Sequence, residues 1–359
     1  MKKAPKYSFH DDYSEGAHPR IIEALAQSNM SQQSGYGDDD FCADARKAIR
    51  SLIGAYDATV CFVAGGSGAN LLAIASHLRP HEAIIAAEPG HIVGKEGGAV
   101  EATGHKILVE AGTEGRLTPE EIQSAVASSS EFAWQPKARM VFISNPTEVG
   151  TLYDKSQLEA IAATCKRLHL LLFMDGARLG AALTAPKNDL TLKDIYRLTD
   201  IFWIGGTKNG ALLGEAIVIK DPTFGADFPY HMKQRGMLLA KGRLLGIQFR
   251  TLFKDDLYFR LARHANAAAA KMSTALTDMG YKLWMPRDSN QVFIIFPPAL
   301  VQSLARYFEF FIWKNLSETA LVARLVTSWA TDLSEVERFC SAVEVWTHRN
   351  TQGTTKQRS

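Results

Sequence analysis

The chain has 359 residues, 46% of them hydrophobic and 22% charged, with a formal net charge of +2. This is the balance of an ordinary globular protein, not of a repetitive or low-complexity chain, and the length exceeds what one hydrophobic core usually serves, so two domains are expected. Lys, Arg, Asp and Glu are interspersed, which excludes the clustered basic face of a nucleic-acid binder, while the scattered Cys42, Cys61, Cys165 and Cys340 form no CxxC pair.

At the N-terminus, Met1–Lys6 is basic, but no apolar stretch follows and Asp11, Asp12 and Glu15 arrive early. Neither a secretory signal nor an organellar presequence is expected. No apolar stretch approaches the ~20 residues needed to cross a bilayer. With cysteine usage that fits a reducing compartment, the expectation is a cytoplasmic protein with no membrane or nucleic-acid partner.

Pro19 to Met30 reads as a short helix, with Pro19 at its first position. A polar loop, Ser31 to Asp40, leads into a second helix, Phe41 to Ile53. From Thr59 the pattern alternates. Apolar, β-branched runs (Thr59–Val63, Ala83–Ala87, Lys106–Val109, Met140–Ile143, Leu170–Met174, Ile201–Ile204 and Ala216–Ile219) are separated by helical stretches such as Thr118–Ala127 and Lys155–Leu168. Apolar strands alternating with helices predict an α/β fold, its mostly parallel sheet covered on both faces. Asp255 to Gly280 reads as one long Ala-rich helix. Strand-like runs follow at Gln291–Phe296, Tyr307–Trp313 and Thr319–Ser328, and a helix from Ser334 to Thr347 closes a smaller α+β domain. The polar tail, 349–359, is expected to be disordered.

The chemistry sits at the ends of the apolar runs. Leu172-Phe173-Met174-Asp175 delivers an acid to a strand's carboxyl end, and Ile201-Phe202-Trp203-Ile204 delivers Thr207 and Lys208 just past its own. Pyridoxal phosphate chemistry needs this pair: a lysine for the Schiff base and a carboxylate that keeps the pyridine nitrogen protonated. Ala64-Gly65-Gly66-Ser67-Gly68-Ala69-Asn70 follows a strand and opens a helix, so backbone N–H groups and the helix dipole can receive a phosphate. It satisfies neither GxGxxG nor a Walker A loop, which argues against dinucleotide and ATP. His91, on the loop after Ala83–Ala87, has the place of a ring that lies flat on a pyridine; Asn145-Pro146-Thr147-Glu148 puts Glu148 on the same sheet edge. Arg178, and Arg324 within an apolar strand, are suited to clamp a carboxylate.

Three further strings carry a resemblance: Phe9-His10-Asp11-Asp12-Tyr13-Ser14-Glu15-Gly16-Ala17-His18-Pro19, Gly35-Tyr36-Gly37-Asp38-Asp39 and Arg324-Leu325-Val326-Thr327. Together with the His91 loop, Asp175-Gly176-Ala177-Arg178 and Lys208 in that order, they resemble the threonine aldolases of the β-eliminating lyase family, fold type I pyridoxal-phosphate enzymes. The resemblance covers nearly the whole chain. It implies that Lys208 carries the cofactor with Thr207 beside it, and that Asp175 pairs with the ring nitrogen. Arg178 lies near the ring hydroxyl and substrate carboxylate, Gly66, Ser67 and Gly68 hold phosphate, and His91 stacks on the ring. Arg324 takes the carboxylate of an amino-acid substrate, and Asp11 contacts the substrate. It also implies a homodimer at minimum, assembled as a homotetramer, with Tyr36 and Lys241 reaching a neighbour's site. The chain then divides into an interface-forming arm and helices (1–50), a large cofactor domain (51–250) and a small domain (251–348).

Two positions depart from that pattern: Glu148 stands where relatives commonly carry His, and Asp11 where many carry Ser or Asn. The expected reaction is retro-aldol cleavage of threonine or allo-threonine to glycine and an aldehyde. His91 and Glu148 compete as the base, and imidazole is preferred because it ordinarily titrates near neutrality. β-Elimination or racemisation on the same site, and a non-catalytic protein of the same fold, are the alternatives.

Overall fold

The computed structural model describes residues 6–129 and 131–355, so most of the basic Met1–Lys6 segment lies outside the described residues. A short strand, β1 (Tyr7–Ser8), precedes the seven strands of the main sheet. These are β2 (Thr59–Val63), β3 (Glu82–Ala87), β4 (Ile107–Glu110), β5 (Lys137–Ser144), β6 (Leu171–Asp175), β7 (Ile201–Gly205) and β8 (Glu215–Ile219). Their spatial order is β2-β8-β7-β6-β5-β3-β4. β8 runs antiparallel to both neighbours, and every other pair is parallel.

The central strands are largely apolar because both faces are covered, whereas the edge strand β4 leaves Val109 exposed. Phe142, Phe173, Trp203 and Ile217 pack on one side with Leu72 and Ile74 of helix Gly66–His77. The alternate residues Val141, Leu172, Phe202 and Val218 pack on the other, with Ile49, Leu158 and Leu245 from three further helices. Side chains that alternate across a strand produce these two layers. Parallel strands point their carboxyl ends the same way, so the loops after β3, β5, β6 and β7 open on one edge.

Near the C-terminus, β9 (Gln291–Phe296), β11 (Phe311–Ser317) and β12 (Ala320–Val326) form a second, antiparallel sheet in the order β11-β12-β9, and the two-residue strand β10 (Phe308–Glu309) lies outside it. Helices Leu257–Asp278 and Leu333–Thr355 contribute to its core. The N-terminal arm belongs to this layer. β1 pairs parallel with β10, Phe9 is fully buried, and the Phe9 ring meets that of Phe339 at 5.5 Å.

Three expectations need correcting. The run Tyr307–Trp313 is two strands, because Phe308–Glu309 pairs with the arm while Phe311–Ser317 turns into a hairpin with β12. The long helix begins at Leu257, after a 3₁₀ turn: Asp255 (φ 55°) and Asp256 (φ 58°) are left-handed, which an α-helix does not admit. The closing helix runs past Thr347 to Thr355, into the segment expected to be disordered, with Asn350 donating to the Trp346 carbonyl; residues 356–359 lie outside the described residues. Among the described residues, no helix is long and apolar enough to cross a membrane.

Candidate active site

Asp175 closes β6 and is 4% exposed. One carboxylate oxygen accepts the Ala177 N–H at 2.9 Å, and the other accepts the Asn70 amide at 2.9 Å. Each oxygen can accept more than one bond, so Asp175 keeps acceptor capacity for a further donor in the pocket. Asn70 lies in the first turns of helix Gly66–His77, and its own oxygen accepts the Trp203 indole N–H at 3.0 Å. That helix has Gly65 at its N-cap with no side-chain bond to its first N–H groups. Gly66 lies against Trp203, where a Cβ would meet the ring edge at 3.0 Å; at Gly68 a Cβ would meet the Met237 sulfur at 2.4 Å. Ser67 is exposed between them.

His91 and Glu148 come together as the strand ends predict. The Glu148 carboxylate accepts the His91 backbone N–H at 3.0 Å and the Ser144 hydroxyl at 2.7 Å. Burial pushes Glu148 above the ordinary carboxylate range, and nearby Asp175 adds to the shift. The His91 ring is bound through Nδ1 to Glu96 at 2.8 Å.

Lys208 sits in a 3₁₀ turn just past β7, lining the same pocket as Asp175, His91 and Glu148. Burial lowers its amine below the usual lysine range, and the Arg178 guanidinium lowers it further. A lysine shifted toward its neutral form is a competent nucleophile. The neighbouring Thr207 hydroxyl donates to Glu215 at 2.7 Å and accepts the Gly214 N–H at 3.0 Å, which fixes the turn. Glu215 also accepts the Gly206 N–H at 2.9 Å, and its burial raises it to about 7.

Arg178 meets an acid that sequence reasoning did not assign to the site. Asp12, 1% exposed, accepts from Arg178 Nε at 2.7 Å and Nη2 at 3.1 Å, and from the Asn290 amide at 3.0 Å. Burial acts to raise Asp12, but Arg178 and Lys208 outweigh it and hold the acid below its ordinary range. Asp11, by contrast, turns to its own arm, accepting from the Tyr13 N–H and the Ser14 hydroxyl. Arg324 donates to the His10 carbonyl at 3.2 Å and lies beside Phe311 and Trp313, while its buried Nε has no partner. A buried N–H without an acceptor signals a place for one. The Tyr13 ring lies 5.7 Å from the Lys208 ammonium.

Tyr36 and Lys241 are not brought to this pocket within the chain. Tyr36 is 48% exposed and hydrogen-bonds to Ala240, and Lys241 is exposed beside it. Sequence reasoning also passed over Asn70, Glu96, Asn290 and Glu215. Asn70 and Glu215 carried a usable signal, each a polar residue bordered by an apolar stretch, as in Asn70-Leu71-Leu72-Ala73 and Glu215-Ala216-Ile217. Glu96 and Asn290 sit in polar loops, where nothing sets them apart.

The pocket fits pyridoxal phosphate. It offers an uncapped helix start for the phosphate, a glycine where a side chain would crowd Trp203, an acid with acceptor capacity to spare, and a lysine shifted toward its neutral form. A mostly parallel sheet presenting these groups on its carboxyl edge, with a smaller antiparallel layer beside it, defines a fold type I pyridoxal-phosphate-dependent enzyme. Residues 11–297 match the family described as Beta-eliminating lyase. The low specificity L-threonine aldolase of Pseudomonas aeruginosa is 34% identical over 342 residues, covering 93% of this chain and 96% of that protein. The structure of Leishmania major threonine aldolase superposes with a TM-score of 0.93 at 44% identity, covering 95% of this chain and 99% of that one. Thermus thermophilus aspartate aminotransferase, at 14% identity and a TM-score of 0.71, shares the fold. The chain belongs to the beta-eliminating lyase family and is a pyridoxal-phosphate-dependent lyase.

Proposed function

We propose that the protein cleaves β-hydroxy-α-amino acids between Cα and Cβ, with L-threonine and L-allo-threonine as substrates and glycine and an aldehyde as products. The observation that carries this reading is one pocket in which Lys208 and Asp175 face His91 and Glu148, with Arg324, its Nε unpartnered, near Arg178. Relatives that match nearly end to end are named threonine aldolases, which supports the same reaction.

The bound cofactor supplies the electron sink for the pair left on Cα. Lys208 would hold it, Asp175 would pair with its ring nitrogen, and Gly66, Ser67 and Gly68 would receive its phosphate. His91 would lie against its ring, and Thr207 fixes the turn that carries Lys208. Arg324 binds the substrate carboxylate through its free Nε. Arg178 contributes Nη1, since Nε and Nη2 are held by Asp12. Two guanidiniums on one carboxylate restrict rotation about Cα, and such positioning is a large part of the rate gain. We assign the arm's acid in the site to Asp12 in place of Asp11.

His91 takes the β-hydroxyl proton in this reading. Glu96 occupies Nδ1, so Nε2 remains for the substrate, whereas Glu148 Oε1 takes both the His91 backbone N–H and the Ser144 hydroxyl and so anchors the loop that carries His91. His91→Phe keeps a flat ring and is expected to lower kcat roughly 10²-fold or more. Glu148→Gln should cost less; the reverse ranking at saturating cofactor would move the base to Glu148.

We further assign Tyr36 and Lys241 to the neighbouring subunit's pocket in a homodimer paired into a homotetramer, working in the cytoplasm in threonine breakdown and glycine supply. The deciding experiment incubates purified holoenzyme with L-threonine and L-allo-threonine, following aldehyde with alcohol dehydrogenase and glycine by mass spectrometry. Equimolar acetaldehyde and glycine are expected. Ammonia with a 2-oxo acid would mean β-elimination, and stereoinversion without cleavage would mean racemisation.

A further inference from the structure

Glu96 lies five residues past His91 and is the partner of His91 Nδ1. Its side chain is 1% exposed, against 36% for His91. Glu96 Oε1 lies 2.8 Å from His91 Nδ1 and 2.7 Å from the Asn70 amide nitrogen, while Oε2 is buried without a partner. A carboxyl group leaves water only where donors replace it, and here two donors meet on one oxygen. Chemistry fixes the orientation of Asn70. The Trp203 indole N–H can only donate, so the Asn70 atom 3.0 Å from it is the amide oxygen, and the NH₂ faces the acids. That single NH₂ serves Glu96 at 2.7 Å and Asp175 at 2.9 Å.

We propose that Glu96 is a positioning residue for His91: its Oε1 accepts Nδ1–H and holds the imidazole in the tautomer whose Nε2 is the free acceptor. Asn70, anchored by Trp203, sets the place of Glu96 and Asp175 with the two hydrogens of one amide. The proposal rests on His91 as the proton carrier. In the cleavage step the hydroxyl O–H breaks and Nε2–H forms; the O–H pair becomes the second C–O bond of the aldehyde, and the Cα–Cβ pair stays on Cα. The positive charge that arrives on the ring then lies against the Glu96 carboxyl group. A proton returned to Cα completes glycine, so no acid or base is consumed overall.

The test combines nuclear magnetic resonance of 15N-histidine-labelled holoenzyme with kinetics, the His91 ring signals being assigned by their loss in His91→Phe. The wild type is expected to show protonated Nδ1 and bare Nε2. Glu96→Leu should shift the ring toward the Nε2–H tautomer that free imidazole side chains favour. Its kcat for threonine should fall at least about 10-fold with KM changed less than about threefold and cofactor retained. If the leucine variant does not fold, Glu96→Gln serves: it keeps an oxygen for both donors, so the wild-type tautomer should persist while kcat falls severalfold. An unchanged tautomer in Glu96→Leu overturns the positioning role whatever the kinetics, as does a lost tautomer in Glu96→Gln. A shifted tautomer with unaltered kcat in both Glu96→Leu and His91→Phe leaves the positioning role standing and removes His91 as the proton carrier.

Discussion

Asp12 and Arg178 form a buried ion pair in which each partner makes the other tolerable, and the Asn290 amide satisfies a further lone pair. Removing one partner of such a pair leaves an uncompensated charge. Asp12→Asn is therefore expected to cost about 3 kcal/mol of stability, read from urea unfolding, and to raise KM for threonine. A loss below about 1 kcal/mol would show that solvent reaches Arg178. Glu215 makes a different prediction. Burial raises it from 4.5 in the unfolded chain to about 7 in the fold, so across that window the folded state holds a proton that the unfolded chain has released. Stability thus falls as pH rises from about 4.5 to about 7, by up to about 3 kcal/mol. Glu215→Gln should remove this slope, gaining on the wild type at pH 8 relative to pH 5 in paired urea titrations; parallel curves would contradict it. Lys208, Asp175 and Arg178 were readable in the sequence because each stands next to an apolar strand or within the family pattern. Asp12 was not, since two adjacent acids look alike until one finds an arginine 166 positions away.

The helix opening at Gly66 shows how an element's start is shaped by what packs on it. A Cβ at Gly66 would press on the edge of Trp203, a ring held in the sheet and bonded to Asn70; at Gly68 it would press on the flexible end of Met237. Gly66→Ala is accordingly expected to weaken cofactor binding at least about 10-fold in absorbance titrations, and Gly68→Ala less than about threefold. Equal effects would mean that backbone freedom at both positions, and not the Trp203 contact, makes glycine necessary. The central strands of the main sheet could be read from sequence because, covered on both faces, each holds a run of apolar residues. β11 was less readable, being mostly exposed and continuous with β10 in composition. The turn at Lys254–Asp256 was hidden for another reason. Its acids resemble the acidic first turn of the helix that follows, and no glycine marks the left-handed φ values.

At the scale of the whole molecule, Gly66, Ser67, His91, Glu148, Asp175, Arg178 and Lys208 line one pocket, whereas Tyr36 and Lys241 lie together on the surface. If a neighbouring subunit uses them, two damaged chains can complement each other. Lys208→Ala lacks the cofactor lysine, and a Tyr36→Ala/Lys241→Ala double variant lacks the donated groups. Mixed and reassociated, they should regain about a quarter of wild-type activity, because half the dimers are hybrids with one intact site. Additive background activity alone would place each site within one chain. The arm built into the C-terminal layer carries one more consequence. Phe9 bonds to Glu309 and Val326, and Asp12 to Asn290, 278 positions away. A ribosome releases the arm well before these partners, so its residues wait unsheltered until β12 has been made. The large sheet can assemble while translation continues, but Asp12 reaches its final place only after Asn290 has emerged. A chain truncated before β12 would leave Phe9 without its shelter and Arg178 without a firmly held acid, so catalytic competence waits on the C-terminal layer.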